Sequence, residues 1–135
     1  FKSNANFEIE KDVSTFESLY SAYGLISDWS GIAIEYAFAC ELPVLYIDGS
    51  PKINNSSYDK IACEALEITI RNLIGKVISP NELESLPKII ESTYENIDNF
   101  KTKIQEVRDK TVFNLGESGM NGAQEIVKIL HEKKN

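Results

Sequence analysis

A five-residue loop, Ser27-Asp28-Trp29-Ser30-Gly31, has the residue types that most favour a chemical role in this chain. The apolar pair Leu25-Ile26 precedes it, and an apolar helical run from Ile32 to Cys40 follows it. The loop therefore opens onto a helix N-terminus, where free backbone N–H groups and the helix dipole both favour an anion. We expect this anion to be a phosphate, which Gly31 would allow to approach the backbone closely.

Ser30 is the predicted N-cap of this helix, and it differs from two other predicted helix starts. Ser14 and Ser79 are each followed three residues later by a glutamate, the capping-box pattern in which a carboxylate satisfies a free N–H group. Ala33 holds that position after Ser30, so the first amides of the helix remain open to an external anion. The alternative is structural: Ser30 caps a buried helix and Gly31 permits tight packing.

Charged residues on and near the loop extend the candidate site. Asp28 would orient the loop or face a ligand hydroxyl. Glu35 lies in an apolar helical run, where a carboxylate needs hydrogen-bond donors such as the two hydroxyls of a ribose; a half-exposed helix position is the alternative. Asp48 and Lys52 follow the next strand, at the carboxyl edge where α/β proteins bind ligands. Lys52 and Arg71 would contact a phosphate; the alternatives are a solvated lysine and a surface or ion-paired arginine.

The rest of the composition argues against several kinds of site. The net charge of −7, from 14 Lys and Arg against 21 Asp and Glu, argues against a nucleic-acid partner. Cys40 and Cys63 are far apart, with no Cys-x-x-Cys motif, so we predict buried reduced thiols and neither metal nor cofactor. His131, the only histidine, lies in the polar C-terminal tail. We therefore predict a binding site without catalytic residues in this chain.

The order of the predicted elements indicates a parallel α/β sheet. Apolar strands at 25–26, 43–47 and 76–79 alternate with helices, and such strands form sheets that helices cover. Alternating residues at 6–10 add a candidate edge strand, and a helix follows Ser14. A further helix is expected to bury Ile61, Ala65, Leu66 and Ile68. The predicted fold class is a partial Rossmann-like, three-layer parallel sheet with long C-terminal helices.

The C-terminal part is predicted to be helical. From Pro80 to about Thr111 apolar residues recur at helical spacing, with a break near Pro87, and a last helix begins at Asn121. Four apolar side chains of that last helix are expected to be buried: Ala123, Ile126, Val127 and Leu130. We therefore divide the chain into a Rossmann-like part at 1–79 and a helical part at 80–135 that packs on it.

Three segments resemble the CDP-glycerol glycerophosphotransferase family, the teichoic-acid polymerases and their relatives in bacterial surface-polymer synthesis. They are Leu25-Ile26-Ser27-Asp28-Trp29-Ser30-Gly31, Glu35-Tyr36 and Pro43-Val44-Leu45-Tyr46. The family typically has Thr/Ser-Asp-Tyr-Ser-Ser, then an acidic and aromatic pair, then a strand that begins with proline. Trp29 stands here for the usual tyrosine, and Gly31 for the second serine. The resemblance covers about Phe7 to Asp48.

The resemblance implies the C-terminal half of a two-domain glycosyltransferase fold, in which residues 1–79 bind a nucleotide-activated donor. Ser30 and Gly31 would hold the pyrophosphate of CDP-glycerol or a nucleotide sugar, Glu35 would bind the ribose, and Ser27 and Asp28 would shape the loop. The family's catalytic histidines precede this motif and nothing here matches them. We therefore expect a transferase fragment that is inactive alone and works with a missing N-terminal domain.

Two other functions are consistent with the sequence. One is a nucleotide-sugar epimerase of similar fold, and the other is a non-catalytic interaction domain that docks a partner through the helix from Pro80 to Thr111. We expect a cytoplasmic location, because the chain shows no secretion signal and no apolar run near the ~20 residues that span a membrane. Peripheral attachment to the inner face of the cell membrane is the alternative for the full protein.

Overall fold

The computed structural model describes residues 3–11, 17–50, 55 and 57–133, which form an α/β protein. The strands are β1 (Leu25–Ser27), β2 (Val44–Ile47) and β3 (Gly75–Ile78). The α-helices are α1 (Glu17–Ser21), α2 (Ile32–Cys40), α3 (Leu66–Ile74), α4 (Leu86–Glu95), α5 (Ile97–Thr111) and α6 (Ser118–Glu132). Two short 3-10 helices, Tyr58–Lys60 and Pro80–Ser85, precede α3 and α4. The predicted unit of strand, loop, helix and strand is confirmed.

The three described strands form a parallel sheet in which β2 lies between β1 and β3. Val44 pairs with Leu25 on one side and with Gly75 on the other, so the strands begin level with one another. β2 is buried except at half-buried Ile47, which is typical of a central strand in a parallel sheet. The carboxyl ends of all three strands therefore lie at one edge.

The core lies on one face of the sheet. Val44 and Tyr46, two residues apart on β2, pack in a cluster with residues from three helices. These are Ala33, Tyr36 and Ala37 of α2, Ile70 and Ile74 of α3, and Ile104 and Val107 of α5. α2 and α3 contact the sheet, and α5 packs against both helices. The predicted parallel α/β class is confirmed at this level.

The opposite face of the sheet is covered unevenly. Leu45 and Ile78 are buried there, whereas Ile26 is 49% exposed and Lys76 is exposed as well. The Rossmann-like, three-layer arrangement therefore stays a prediction.

A polar cluster joins the C-terminal end of α2 to α5. Glu41 follows α2 in the left-handed backbone conformation, with φ of 55°. Its Oε1 contacts Arg108 Nη2 at 3.0 Å, while its Oε2 accepts from Gln105 at 2.9 Å and contacts Lys101 Nζ at 3.2 Å. Arg108 Nη1 also donates to the Phe38 carbonyl at 2.8 Å. This arrangement satisfies a carbonyl at the end of α2 and places positive charge where the helix dipole favours it.

The Glu41 cluster predicts a dependence of stability on pH. The hydrogen bond from Gln105, with those from Lys101 and Arg108, holds the pKa of Glu41 below its ordinary value of 4.5. Its contribution to stability is therefore complete above the unfolded pKa and is lost as the pH falls through the lower folded pKa. We expect Glu41→Gln to lose less unfolding free energy than the wild type between about pH 7 and about pH 3.

Urea unfolding at a series of pH values measures this difference. Glu35→Gln, which removes an exposed carboxylate from α2 and leaves the Glu41 cluster intact, is the matched control and should keep the pH dependence that the cluster causes. Identical pH profiles for Glu41→Gln and the wild type would contradict a stabilising role for the cluster.

The predicted helical region from Pro80 to Thr111 is interrupted twice. Ser79 and Glu82 form the predicted capping box, and the Ser79 N–H donates to the Glu82 carboxylate at 3.1 Å. The first turns are a 3-10 helix, and α-helical geometry begins at Leu86, next to the predicted break at Pro87. A second interruption, at Asn96 between α4 and α5, was not predicted.

The last helix was predicted to be buried, and this is wrong. α6 begins at Ser118 rather than Asn121, and none of its residues is buried. Ile126 is 61% exposed and Leu130 is 56% exposed, while Ala123 and Val127 are also exposed. Helical spacing predicts an apolar face but does not specify which surface covers it. In the described part of the chain, no element buries the apolar face of α6.

The buried face of α3 was also predicted incorrectly. The helix begins at Leu66 and buries Ile70, Arg71 and Ile74. The residues predicted to be inward are exposed: Ile61, Ala65, Leu66 and Ile68. The prediction placed Ile61 and Ala65 inside the helix, although both precede it, and so chose the stripe that continues to Ile68. Because successive helical residues are about 100° apart, that stripe lies on a different side of the helix from Ile70 and Ile74.

Three further predictions concern a strand at residues 6–10, the burial of the two cysteines and a capping box at Ser14. Residues 6–10 form no strand, because alternation does not supply the neighbouring strand that a ladder needs. Cys63 is exposed rather than buried, and Cys40 is half-buried; both are free thiols. The capping box at Ser14 lies outside the described residues.

Candidate functional site

The predicted loop lies at the carboxyl edge of the sheet. Ser27 is the last residue of β1, and the strand register places it beside Tyr46 of β2. Asp48 follows β2 at the same edge, and its N–H donates to the Ile78 carbonyl at 2.8 Å. The loop after β1 leads directly into α2. Two strand ends and a helix N-terminus therefore meet where open α/β sheets usually bind ligands.

α2 begins one residue later than predicted. Gly31 is its N-cap and no side chain caps the helix, so the prediction that Ser30 caps it is wrong. The reason is the hydrogen bonding. The Ala33 N–H donates to the Ser30 carbonyl, which is three residues earlier and therefore forms a tight turn rather than an α-helical turn. The first hydrogen bond between residues four apart runs from the Glu35 N–H to the Gly31 carbonyl at 3.3 Å. The amides of Gly31 and Ile32 donate to no backbone carbonyl of the described residues.

A buried arginine lies at this edge. Arg71 of α3 is 5% exposed, and its Nη1 donates to Asp48 Oδ1 at 3.0 Å. Its guanidinium carbon lies 3.9 Å from the centroid of the Trp29 ring and 5.0 Å from that of the Tyr46 ring. Contacts of this kind are cation–π interactions, which gain strength when water is excluded. The ion-paired alternative for Arg71 is therefore confirmed, with Asp48 as its partner.

Two donors of Arg71 have no hydrogen-bond partner among the described residues. Nε and Nη2 are buried and make no hydrogen bond to the part of the chain that the structure describes. On a guanidinium these two donors point the same way, along an edge that can bind a carboxylate or a phosphate through two parallel hydrogen bonds. A buried donor without a partner costs about 1–3 kcal/mol. An anion that paired both donors would remove this cost.

The Tyr46 hydroxyl is a further buried polar group without a hydrogen-bond partner in residues 3–11, 17–50, 55 and 57–133. Burial raises the pKa of Tyr46 to about 12, and the positive charge of Arg71 opposes this shift. The hydroxyl is therefore protonated and neutral near pH 7, and it has one hydrogen to donate. Arg71 and Tyr46 together present three buried donor groups that are unpaired within the described chain.

Trp29 connects the loops that follow β1 and β2. Its Nε1–H donates to the Gly49 carbonyl at 2.9 Å, while its ring lies against the Arg71 guanidinium. Trp29 is half-buried, whereas Arg71 is buried. The indole is therefore the more solvent-exposed partner in this contact.

The other predicted site residues differ in exposure. Ser27 is half-buried, and Asp28 is exposed. Glu35 is exposed on α2. Lys52 lies outside the described residues. The structure thus brings Asp48 and Arg71 into contact, and the ribose role of Glu35 remains a prediction.

Sequence reasoning did not include Trp29 or Tyr46 in the site. A signal existed for Trp29, because a large aromatic residue in a polar loop at a strand end is unusual for a purely structural turn. Tyr46 had no such signal, since it has the pattern of any apolar residue in a buried strand. Both residues became part of the site only when α3 was placed over β2.

Comparisons with protein-family models, with curated proteins and with solved structures found no match to this chain. Among residues 3–11, 17–50, 55 and 57–133, no group of three or more His, Cys, Asp or Glu could hold a metal ion. None of the helices described has the length and apolar character needed to cross a membrane. Function is therefore inferred from the chemistry of the carboxyl-edge site.

Proposed function

We propose that this chain binds the diphosphate of a nucleotide-activated donor at the carboxyl edge of its sheet. It would be the donor-binding part of a CDP-glycerol glycerophosphotransferase-like enzyme, or of a glycosyltransferase, in bacterial cell-surface polymer synthesis, with a Rossmann-like fold. The observation that carries the proposal is Arg71, which is buried and paired with Asp48 through Nη1, and whose other edge has no partner in the described part of the chain. The resemblance of the loop at 25–31 to the family supports the choice of donor.

The electrostatics of this edge favour a phosphate. The amides of Gly31 and Ile32 lie at the positive end of the α2 dipole, and Arg71 supplies a full charge that Asp48 partly neutralises. In the whole enzyme, an acceptor hydroxyl would attack the donor's phosphorus, or a sugar carbon if the donor is a nucleotide sugar. This edge would then stabilise the leaving nucleotide phosphate. We assign no catalytic residue to this chain.

Glu35 is the proposed ribose ligand. Its N–H bonds to the Gly31 carbonyl at 3.3 Å, so Glu35 lies one helical turn from the proposed phosphate position. Its carboxylate would accept hydrogen bonds from the two ribose hydroxyls, an arrangement that needs no burial of an unpaired charge.

Calorimetric titration with CDP-glycerol, CDP and UDP tests this proposal. Arg71→Lys keeps the charge but cannot form two parallel hydrogen bonds, so we expect the affinity for a cytidine ligand to fall by about tenfold or more. The matched control is Arg108→Lys. Arg108 is also mostly buried and ion-paired, but with Glu41 at the opposite end of α2, and its substitution should leave the affinity unchanged.

The ligand preference separates the remaining alternatives. A loss of about tenfold in Glu35→Ala would support the ribose role. A preference for UDP would favour a sugar transferase or an epimerase. If the folded wild type bound none of the three ligands, the proposal for this chain would be contradicted.

The exposed face of α6 favours a second candidate, a non-catalytic interaction domain. The sequence indicated the helix from Pro80 to Thr111 as the docking surface, but α5 buries Ile104 and Val107 in the core. α6 instead exposes Met120, Ile126 and Leu130. Chains that bind no nucleotide, and whose self-association is abolished by Ile126→Glu in a light-scattering measurement, would support this second function.

A further inference from the structure

The donors that would bind the phosphate are shielded from solvent. Nε and Nη2 of Arg71 are both buried, so an anion reaches them only if a neighbouring side chain moves. Two aromatic rings lie against the guanidinium, Trp29 at 3.9 Å and Tyr46 at 5.0 Å. These rings are therefore the first neighbours of Arg71 to compare for displacement.

Tyr46 is held by the core. It lies in the central strand, is 2% exposed, and belongs to the same buried cluster as Val44 and Ile74. Interiors are packed closely enough that moving such a ring would disturb its neighbours on α2 and α3 as well. Displacing Tyr46 would therefore disrupt the core.

Trp29 is held by much weaker contacts. It is half-buried in the loop between β1 and α2, and in the described chain its indole N–H has one partner, the carbonyl of exposed Gly49. Its ring also stacks on the guanidinium of Arg71. If the indole swung outward, water would replace the hydrogen bond to Gly49, and the anion would replace the ring as the partner of the guanidinium. Two parallel hydrogen bonds from a guanidinium to a phosphate are charge-assisted and about twice as strong as hydrogen bonds between neutral groups.

We infer that Trp29 is a movable cover over Arg71, and that a phosphate anion binds the Nε and Nη2 edge by displacing the indole ring. Asp48 keeps its bond to Nη1 throughout, which holds the guanidinium in place. The inference rests on the proposed function and adds a conformational step to it. The ligand class is a phosphate or diphosphate group, and Trp29 is a gating residue rather than a ligand.

The emission of Trp29 reports this movement directly, because the chain contains a single tryptophan. In a titration of the wild type with pyrophosphate, we expect the emission to shift to the red as the indole becomes exposed. The shift should saturate over the concentration range in which calorimetry detects binding. Sodium chloride at matched ionic strength is the control, and it should leave the emission unchanged.

Substitutions at Trp29 test the cover independently of fluorescence. Trp29→Phe keeps a ring against Arg71 but removes the hydrogen bond to Gly49, so the closed state loses stability. The calorimetric affinity for pyrophosphate should rise about fivefold, the population shift expected from one ordinary hydrogen bond. Trp29→Ala removes the ring altogether and should bind at least as tightly as Trp29→Phe. Circular dichroism melting curves show whether each variant is folded.

The outcomes separate the inference from the proposed function. An emission that stays constant at saturation would overturn the cover and leave the proposed function standing, because the anion would bind without moving Trp29. A red shift combined with weaker binding by folded Trp29→Phe would also overturn it, since the indole would then be a ligand contact. If the wild type and both folded variants bound no pyrophosphate, both proposals would fail. A buried water would then be the partner that satisfies the donors of Arg71.

Discussion

Replacing Gly75 with alanine is expected to lower the free energy of unfolding by about 3 kcal/mol or more. An added Cβ would collide with the carbonyl oxygen of Val44, the residue that pairs with Gly75 in the neighbouring strand. A flexible side chain could turn aside, but the backbone of the central strand cannot. The contact therefore forces β2 and β3 apart at the point where both strands begin. Urea unfolding followed by circular dichroism measures the loss.

Gly122→Ala is the matched control for this substitution. Gly122 lies within α6, and an added Cβ there meets no atom within 4 Å. Alanine is a better helix former than glycine, so this variant should gain about 0.5–1 kcal/mol. If Gly75→Ala were as stable as Gly122→Ala, the close approach of the two strands would be refuted.

Replacing Arg71 with methionine is expected to abolish phosphate binding and, at the same time, to stabilise the fold by about 1–2 kcal/mol. The substitution removes a buried charge with two donors that have no partner among the residues described. Methionine has a similar length and packs well against aromatic rings such as those of Trp29 and Tyr46. Asp48 loses its partner, but its side chain is 47% exposed, so water can solvate the carboxylate.

Arg108→Met provides the contrast, because two nitrogens of Arg108 have partners and, among the described residues, only its Nε is buried without a hydrogen bond. Nη1 donates to the Phe38 carbonyl and Nη2 contacts Glu41, so we expect this substitution to destabilise the protein. Thermal unfolding of the two variants, together with calorimetry of pyrophosphate binding, gives both effects. If Arg71→Met were destabilised as much as Arg108→Met, then the free edge of Arg71 would have a partner in solution, and the argument for an anion site would fail.

The central βαβ unit could be predicted because its signals are local. β2 is a continuous apolar run, as a strand covered on both faces requires, and the loop at 27–31 contains the small and polar residues that join a strand to a helix. The capping box at Ser79 was predictable for the same reason, since both partners lie within four residues. The N-cap of α2 was missed by one residue, because Ser30 and Gly31 are both acceptable caps.

The contacts that make the candidate site distinctive could not be predicted, because they join distant parts of the chain. Arg71 and Asp48 are 23 residues apart, and their pairing depends on how α3 packs over β2. The place of Trp29 against Arg71 depends on the same packing. The exposure of α6 was missed for a related reason, since helical spacing identifies an apolar face without identifying its partner.

No connecting residue separates α3 from β3: Ile74 ends the helix and Gly75 begins the strand. The register of β3 on β2 therefore fixes how α3 is rotated about its own axis. One residue added or removed between Arg71 and Gly75 would turn the arginine by about 100° around the helix axis, away from Asp48 and the two aromatic rings. No loop residue is present between α3 and β3 to compensate for such a change. The pairing of β3 with β2 therefore determines the direction in which the guanidinium of Arg71 points.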